Sequence, residues 1–186
     1  MAKARRDVPV DAAMHIMCRG NNKLAVLSSD EDKVNCYFLL GKFKIENNID
    51  ILHYCIMNNH LHIIVWLNSQ SNVSRFMKQF SLAYFQCYRR RYGYYGHLWQ
   101  GRFKSVIIEE DTHALQCGKY IELNPVKAGI VKTPEQYRFS SYGYYSKSSP
   151  DQLITANPAY EGLSNSPKER QLYYINFVKE GSLENE

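Results

Sequence analysis

Hydrophobic and polar positions change period several times along the chain, and each change marks an element. The run "AAMHIMCRG" (12–20) alternates and stops at a glycine, as a strand does on entering a turn. In "SSDEDKVNCYFLLGKFKIENN" the period lengthens. Ser28 and Glu31 stand at capping-box spacing, and Val34, Tyr37, Phe38 and Ile45 recur at helical intervals, which predicts a first helix. Two apolar, β-rich runs follow, "DILHYCIM" and "HLHIIVWL", separated by Asn58-Asn59, so they read as a hairpin. Phe76, Met77, Phe80, Tyr84, Cys87 and Arg91 restore a period near 3.6 and predict a second helix. It ends in the cationic "RRRYGYYG", as the helix dipole favours. "FKSVIIEE" reads as a fourth strand and "DTHALQCGKYIELN" as a third helix, which Pro125 is expected to stop.

The order β-α-β-β-α-β-α predicts an α+β fold of the ferredoxin-like, RRM-like split βαβ type: an antiparallel sheet with helices packed on one face. Beyond Tyr137 the composition shifts to Ser, Tyr, Gly and Pro, and a short last helix is expected after "SPKE", boxed by Ser166, Pro167 and Glu169. The chain therefore divides into a main domain, 1–136, and a C-terminal appendage, 137–186, packed on it.

Composition narrows the setting. At 186 residues, with 45% hydrophobic and 13% aromatic content, the chain can bury a core without disulfides or metal. The five cysteines (Cys18, Cys36, Cys55, Cys87, Cys117) are odd in number and form no C-x-x-C pair. They read as buried thiols in a reducing cytoplasm, not as a disulfide framework or thiolate zinc site. The basic N-terminus lacks a following apolar region, and no run approaches the ~18 apolar residues of a membrane span, so no membrane partner is expected.

The net charge of +5 matters less than its placement. From Arg75 to Lys104 there are seven Lys or Arg residues and no Asp or Glu, interleaved with Tyr84, Phe85, Tyr88, Tyr92, Tyr94, Tyr95, Trp99 and Phe103. Such a segment offers phosphate contacts and flat faces for unpaired bases, or else a solvated helix face followed by a tyrosine-rich core edge. Arg89, Arg90, Arg91, Arg102 and Lys104 are the candidate nucleic-acid contacts, Arg19 in "RGNN" is another possible phosphate contact, and Trp99 is either a stacking face or a core aromatic.

Two readings of "HLH" compete. His60 and His62 share one face of a strand, as a two-histidine metal site requires and as two ordinary hydrogen-bonded histidines would also do. On the third helix His113, Gln116, Tyr120 and Asn124 form one polar stripe, with Tyr120 and Asn124 a turn apart. An amide oxygen can join two imidazoles around a cation, and a nearby hydroxyl can attack a phosphate that the cation polarises. With 15 tyrosines, composition alone does not choose Tyr120.

The residues that choose are "RGNN" (19–22), "YCIMNNHLHIIV" (54–65), "GHLWQGRFKS" (96–105) and "YIELNPVKAGIV" (120–131). Together they resemble the single-tyrosine transposases of the HUH endonuclease superfamily, especially the REP-associated tyrosine transposases of bacteria. The resemblance implies an enzyme of DNA transposition and recombination that cleaves and rejoins single-stranded or hairpin DNA beside short palindromes. It implies a 5′-phosphotyrosine intermediate on Tyr120, with a divalent cation, Mg2+ or Mn2+, held by His60, His62 and Asn124. Lys127 stands where arginine is usual in "NPVRAG", keeping a phosphate-binding charge but not the bidentate fork. His113 and Gln116 are nearby candidates for a base. A monomer is favoured over a homodimer, because the tail can dock on its own domain. The competing readings are a non-catalytic nucleic-acid-binding module of RRM-like fold, against which the missing ribonucleoprotein motif argues, and a metal-dependent phosphodiesterase that uses water.

Overall fold

Alternation in the first strand organises both faces of the sheet. In the computed structural model, which describes residues 10–108 and 111–183, β1 (Ala12–Arg19) sends Met14, Ile16 and Cys18 to one apolar cluster and Ala13 to another on the opposite side. His15, Met17 and Arg19 follow Ala13 by the same alternation. β3 (His60–Leu67) lies antiparallel beside β1, with Met17 opposite His62 and Arg19 opposite His60. β2 (Asp50–Ile56) flanks β3, and β4 (Lys104–Ile108) flanks β1, giving the order β2-β3-β1-β4 with every neighbour antiparallel. This is the split βαβ sheet expected from the sequence. Glu109 and Glu110, assigned to the fourth strand, and the basic run 1–9 lie outside the described residues.

α1 (Asp30–Glu46) and α2 (Val73–Tyr92) cover the face of Met14 and Ile16, contributing Cys36, Leu40 and Phe43, and Phe76, Met77, Phe80 and Tyr84. α1 starts one residue later than the capping-box spacing suggested: Ser29 is the N-cap, its hydroxyl accepting from Asp32 N–H, and Asp32 returns the bond. The apolar stripe expected to mark α1 is also turned away from the core, with Phe38 67% and Ile45 76% exposed. Of that stripe only Tyr37 packs on the core; Cys36, Leu40 and Phe43 form the buried face, joined in the first turn by two satisfied charges. Asp32 is buried accepting hydrogen bonds from Arg91 (3.0 Å) and the Tyr92 hydroxyl (2.8 Å), and buried Lys33 donates to the Ser28 carbonyl (3.2 Å). α2 ends at Gly93, whose φ of 61° supplies the left-handed cap.

α3 (Asp111–Lys127) lies across the other face, where Ala114 and Ile121 pack on Ala13, Leu52, Ile64 and Ile108. Two helices thus cover one side of the sheet and the third covers the other. Pro125, expected to stop α3, lies inside it. It is tolerated because little helix remains beyond it and because its own carbonyl closes the end, accepting from Ile130 N–H at 2.9 Å.

The seat of α3 depends on an irregularity in β2. Pairing with β3 skips Leu52, a β-bulge, so Leu52 and His53 both face α3 where regular alternation would turn one of them away. The Leu52 carbonyl accepts from the Tyr145 hydroxyl at 2.6 Å. His53 Nδ1–H donates to Glu122 of α3 (3.0 Å), while the Asn157 amide donates to His53 Nε2 (3.0 Å). Glu122 also accepts from the Tyr174 hydroxyl (2.7 Å) and from Ser141. Asn157, Tyr174 and Ser141 come from the C-terminal segment, whose helices α4 (Tyr142–Lys147), α5 (Pro158–Glu161) and α6 (Pro167–Leu183) bury Tyr142, Tyr145, Tyr160, Tyr174 and Val178 against Leu115 and Leu123 of α3. The last helix is 17 residues long, not short, and at its start Ser164, not Ser166, donates to Glu169 (2.6 Å).

Candidate active site

The hairpin turn of Asn58-Asn59 delivers His60 to the first position of β3 and alternation puts His62 beside it, the two rings meeting edge to face at 4.8 Å. His60 Nδ1 lies 2.6 Å from Asn59 Oδ1. That contact makes Nδ1 the donor and leaves the Nε2 lone pair unused. "RGNN" braces this corner: Gly20 N–H bonds the Asn59 carbonyl at 2.8 Å, and a Cβ on Gly20 would fall 2.2 Å from the Leu24 carbonyl oxygen. Only glycine fits there.

A third histidine, missed in the sequence, completes the row. His15 Nε2 lies 2.8 Å from His62 Nδ1, and the two rings lie side by side, 22° from coplanar, with centroids 5.1 Å apart. Alternation in "AAMHIMCRG" places His15 and Arg19 on one face, and the split βαβ order makes β1 the neighbour of β3, so the signal was present. Burial lowers the pKa of all three imidazoles. It takes His62 down to about 3, with His60 and His15 adding to the effect, and Arg19 adds to it at His60. Neutral rings keep their lone pairs at neutral pH.

Tyr120 reaches this row from α3. Its ring stands edge-on to His62 at 6.4 Å, it is 50% exposed, and its hydroxyl makes no hydrogen bond among the described residues. The contrast with other tyrosines is chemical. The hydroxyls of Tyr37, Tyr54, Tyr84, Tyr137, Tyr145 and Tyr174 are all engaged, donating to carboxylates or carbonyls. Asn124 follows Tyr120 by one turn, and its amide nitrogen is buried without a hydrogen-bond partner. Lys127 holds its ammonium 5.3 Å from the centre of the Tyr120 ring.

The cationic residues divide between two places. Arg19, paired in register with His60, has a buried Nε with no hydrogen-bond partner among the described residues. Lys104 pairs with Met17 on the edge strand and so shares the histidine face. Arg89 and Arg90 are exposed on α2, on the far side of the sheet, and Arg91 there is engaged by Asp32 (3.0 Å) and Glu31 (3.2 Å). Arg102 and Trp99 line a cleft of about 640 Å³ with Asn21, Phe85 and Leu98. Trp99 also packs on Tyr84 (5.4 Å) and donates its indole N–H to the Ser81 carbonyl (3.3 Å), so it is a half-buried wall. Gln116 opens onto a groove with Leu163 and Phe177, and His113 is exposed.

Among the described residues, no group of three or more His, Cys, Asp or Glu side chains is placed to hold a metal ion, and no helix is long and apolar enough to cross a membrane. A cation here needs donors of another kind. The candidate donors are the Nε2 atoms of His60 and His62, which make no hydrogen bond among the described residues, and the amide of Asn124, whose nitrogen is buried without a partner among them.

The split βαβ sheet thus carries paired imidazoles on a central strand, crossed by a helix whose Tyr120 hydroxyl is unengaged among the described residues, and the family match makes the chain a transposase. It belongs to the IS200-like transposase family, whose model matches residues 10–124, from β1 through Asn124. In structure it is similar to a REP-associated tyrosine transposase bound to a REP hairpin, with 19% identity, a TM-score of 0.64, and coverage of 84% of this chain and 92% of that one. A bacterial tRNA(His) guanylyltransferase-like protein in complex with GTP shares the fold at 10% identity and a TM-score of 0.50, covering 68% of this chain and 67% of that one. Comparison with curated proteins gives no match.

Proposed function

We propose that the chain cleaves and rejoins single-stranded or hairpin DNA through a 5′-phosphotyrosine on Tyr120. The observation that carries this reading is the Tyr120 hydroxyl, unbonded among the described residues, on a ring edge-on to His62. The similarity to a transposase bound to a REP hairpin supports the choice of DNA. Residues 1–136 are read as the catalytic domain and 137–186 as the appendage, in a cytoplasmic monomer.

The residues divide the work. His60 and His62, kept neutral by burial, would hold a divalent cation with the Asn124 amide oxygen. When bound, Mn2+ or Mg2+ draws charge from an oxygen of the scissile phosphate. Two nitrogens and one oxygen suit Mn2+ better than Mg2+. The Arg19 guanidinium, beside His60 in the sheet register, and the Lys127 ammonium bind phosphate oxygens and orient the backbone for in-line attack. Tyr120 Oη then bonds to phosphorus, the bond to the 3′ oxygen breaks, the phenol gives up its proton, and the 3′ oxygen leaves as a hydroxyl. Reversal by a 3′-hydroxyl rejoins the strand. Lys104, on the histidine face, extends the phosphate track, and Arg102 and Trp99 line the cleft beside it; Arg89 and Arg90 reach only DNA that wraps to the α2 side of the sheet, and Arg91 is held there by Asp32 and Glu31.

The test is to incubate hairpin DNA carrying single-stranded flanks with protein and Mn2+, then to resolve products under denaturing conditions. A covalent adduct is expected, lost with chelator and in Tyr120→Phe. Undiminished cleavage by Tyr120→Phe would leave a water-using phosphodiesterase, and binding without cleavage by the unmodified chain would leave a binding module.

A further inference from the structure

We infer that His15 is a positioning residue: it fixes the tautomer and ring plane of His62, so that Nε2 is the atom His62 presents to a cation. The inference rests on the function proposed above.

A neutral imidazole carries one proton and one lone pair. His62 Nδ1 and His15 Nε2 are 2.8 Å apart, so one nitrogen donates and the other accepts. If His15 donated, the His62 proton would sit on Nε2 and close the nitrogen that faces away from His15. If His62 donates, its Nε2 keeps a lone pair. Only the second arrangement makes a ligand, and it requires His15 to carry its own proton on Nδ1. A ligating histidine generally gives its second N–H to an acceptor that locks its orientation.

The backbone enforces the contact. His15 pairs with Ile64 and His62 with Met17, so the two histidines are diagonal neighbours on β1 and β3, the central strands, each hydrogen-bonded on both sides. Their rings lie 22° from parallel, leaving the His62 ring little freedom to turn. His60 is held differently, by Asn59 in the turn one residue away. A change at His15 should therefore act on His62 alone. Glutamine can place its amide oxygen near the position of His15 Nε2 and accept the same proton; alanine cannot.

The experiment compares the unmodified chain, His15→Ala and His15→Gln. Two-bond 1H–15N correlations on metal-free protein read the tautomers, calorimetry reads Mn2+ affinity, and hairpin DNA binding in chelator checks the folded surface. We expect His62 to be the Nδ1–H tautomer in the unmodified chain. In His15→Ala that single tautomer is lost and Mn2+ affinity falls about 10- to 100-fold, while His15→Gln retains most of it and DNA binding in chelator is unchanged in both. A His62 proton on Nε2 in the unmodified chain, or full Mn2+ affinity in His15→Ala, overturns the inference. An unmodified chain that binds no Mn2+ counts against the proposed metal site instead, and the tautomer spectra, which need no cation, still decide the His15 contact.

Discussion

Gly118 of the tyrosine helix rests directly on the ring of His53: a Cβ at Gly118 would lie 2.5 Å from His53 Cε1 and 2.6 Å from Nδ1. The ring cannot yield, because Glu122 and Asn157 hold its two nitrogens. We expect Gly118→Ala to destabilise the protein by roughly 2 to 3 kcal/mol, as overpacking of a filled interior does. In a denaturant-unfolding cycle with His53→Ala, the double variant should lose less than the sum of the two singles, since the small residue at 53 makes room for the methyl.

Glu122 is the node joining β2, α3 and the C-terminal segment. Glu122→Ala strands the Tyr174 and Ser141 hydroxyls and His53 Nδ1 in a region closed to water. Calorimetry should show a loss of about 3 to 5 kcal/mol, on the order of 10 °C in Tm for a chain of this size. Glu122→Gln keeps an acceptor and should lose clearly less.

Tyrosine-to-phenylalanine changes should separate chemistry from structure. Tyr120→Phe removes a hydroxyl that bonds to nothing among the described residues, so stability should stay within about 0.5 kcal/mol while the covalent DNA adduct disappears. Tyr174→Phe takes a donor from buried Glu122 and should cost about 1 to 3 kcal/mol, with adduct still formed below the new Tm.

The arginines of α2 should part in the same way. Arg89→Ala and Arg90→Ala, both exposed, should leave unfolding unchanged and each lower the salt dependence of hairpin binding by about one phosphate contact if the DNA reaches that side of the sheet. Arg91→Ala should also weaken folding, because buried Asp32 keeps only the Tyr92 hydroxyl and the Ser29 N–H as donors.

Thiol labelling offers a check on packing. Cys18, Cys36 and Cys55 are buried, and burial pushes the Cys18 thiol up to about 12 and the other two well above the usual range. A thiol-reactive reagent acts on the thiolate. At pH 8 the half-buried Cys87 should therefore react first, Cys117, also raised by burial, more slowly, and the three buried thiols only on unfolding.

The strands were legible from alternation in β1 and from the apolar, β-rich runs either side of Asn58-Asn59, and the histidine pair and Tyr120 stood out once "YIELNPVKAG" pointed to the family. Three features were not. The phase of α1 follows buried Asp32 and Lys33, whose partners Arg91, Tyr92 and the Ser28 carbonyl include residues far along the chain, so hydropathy favoured the wrong stripe. Pro125 survives in α3 because of a closing bond made after the helix ends. The His15 contact shows in no local window: it emerges only when the alternation of β1 is combined with the split βαβ order that sets β1 beside β3.

The bulge at Leu52 has a consequence for how this chain can vary in length. Side chains change sides at every residue, so deleting Leu52 would restore regular pairing at the cost of the second residue that β2 now presents to α3, either its apolar contact or the His53 partner of Glu122. Substitutions at neighbouring positions can be absorbed one at a time, whereas a gain or loss of one residue here shifts the seat of the tyrosine helix as a unit. Among homologues, β2 should therefore tolerate exchanges of residue type far more readily than insertions or deletions.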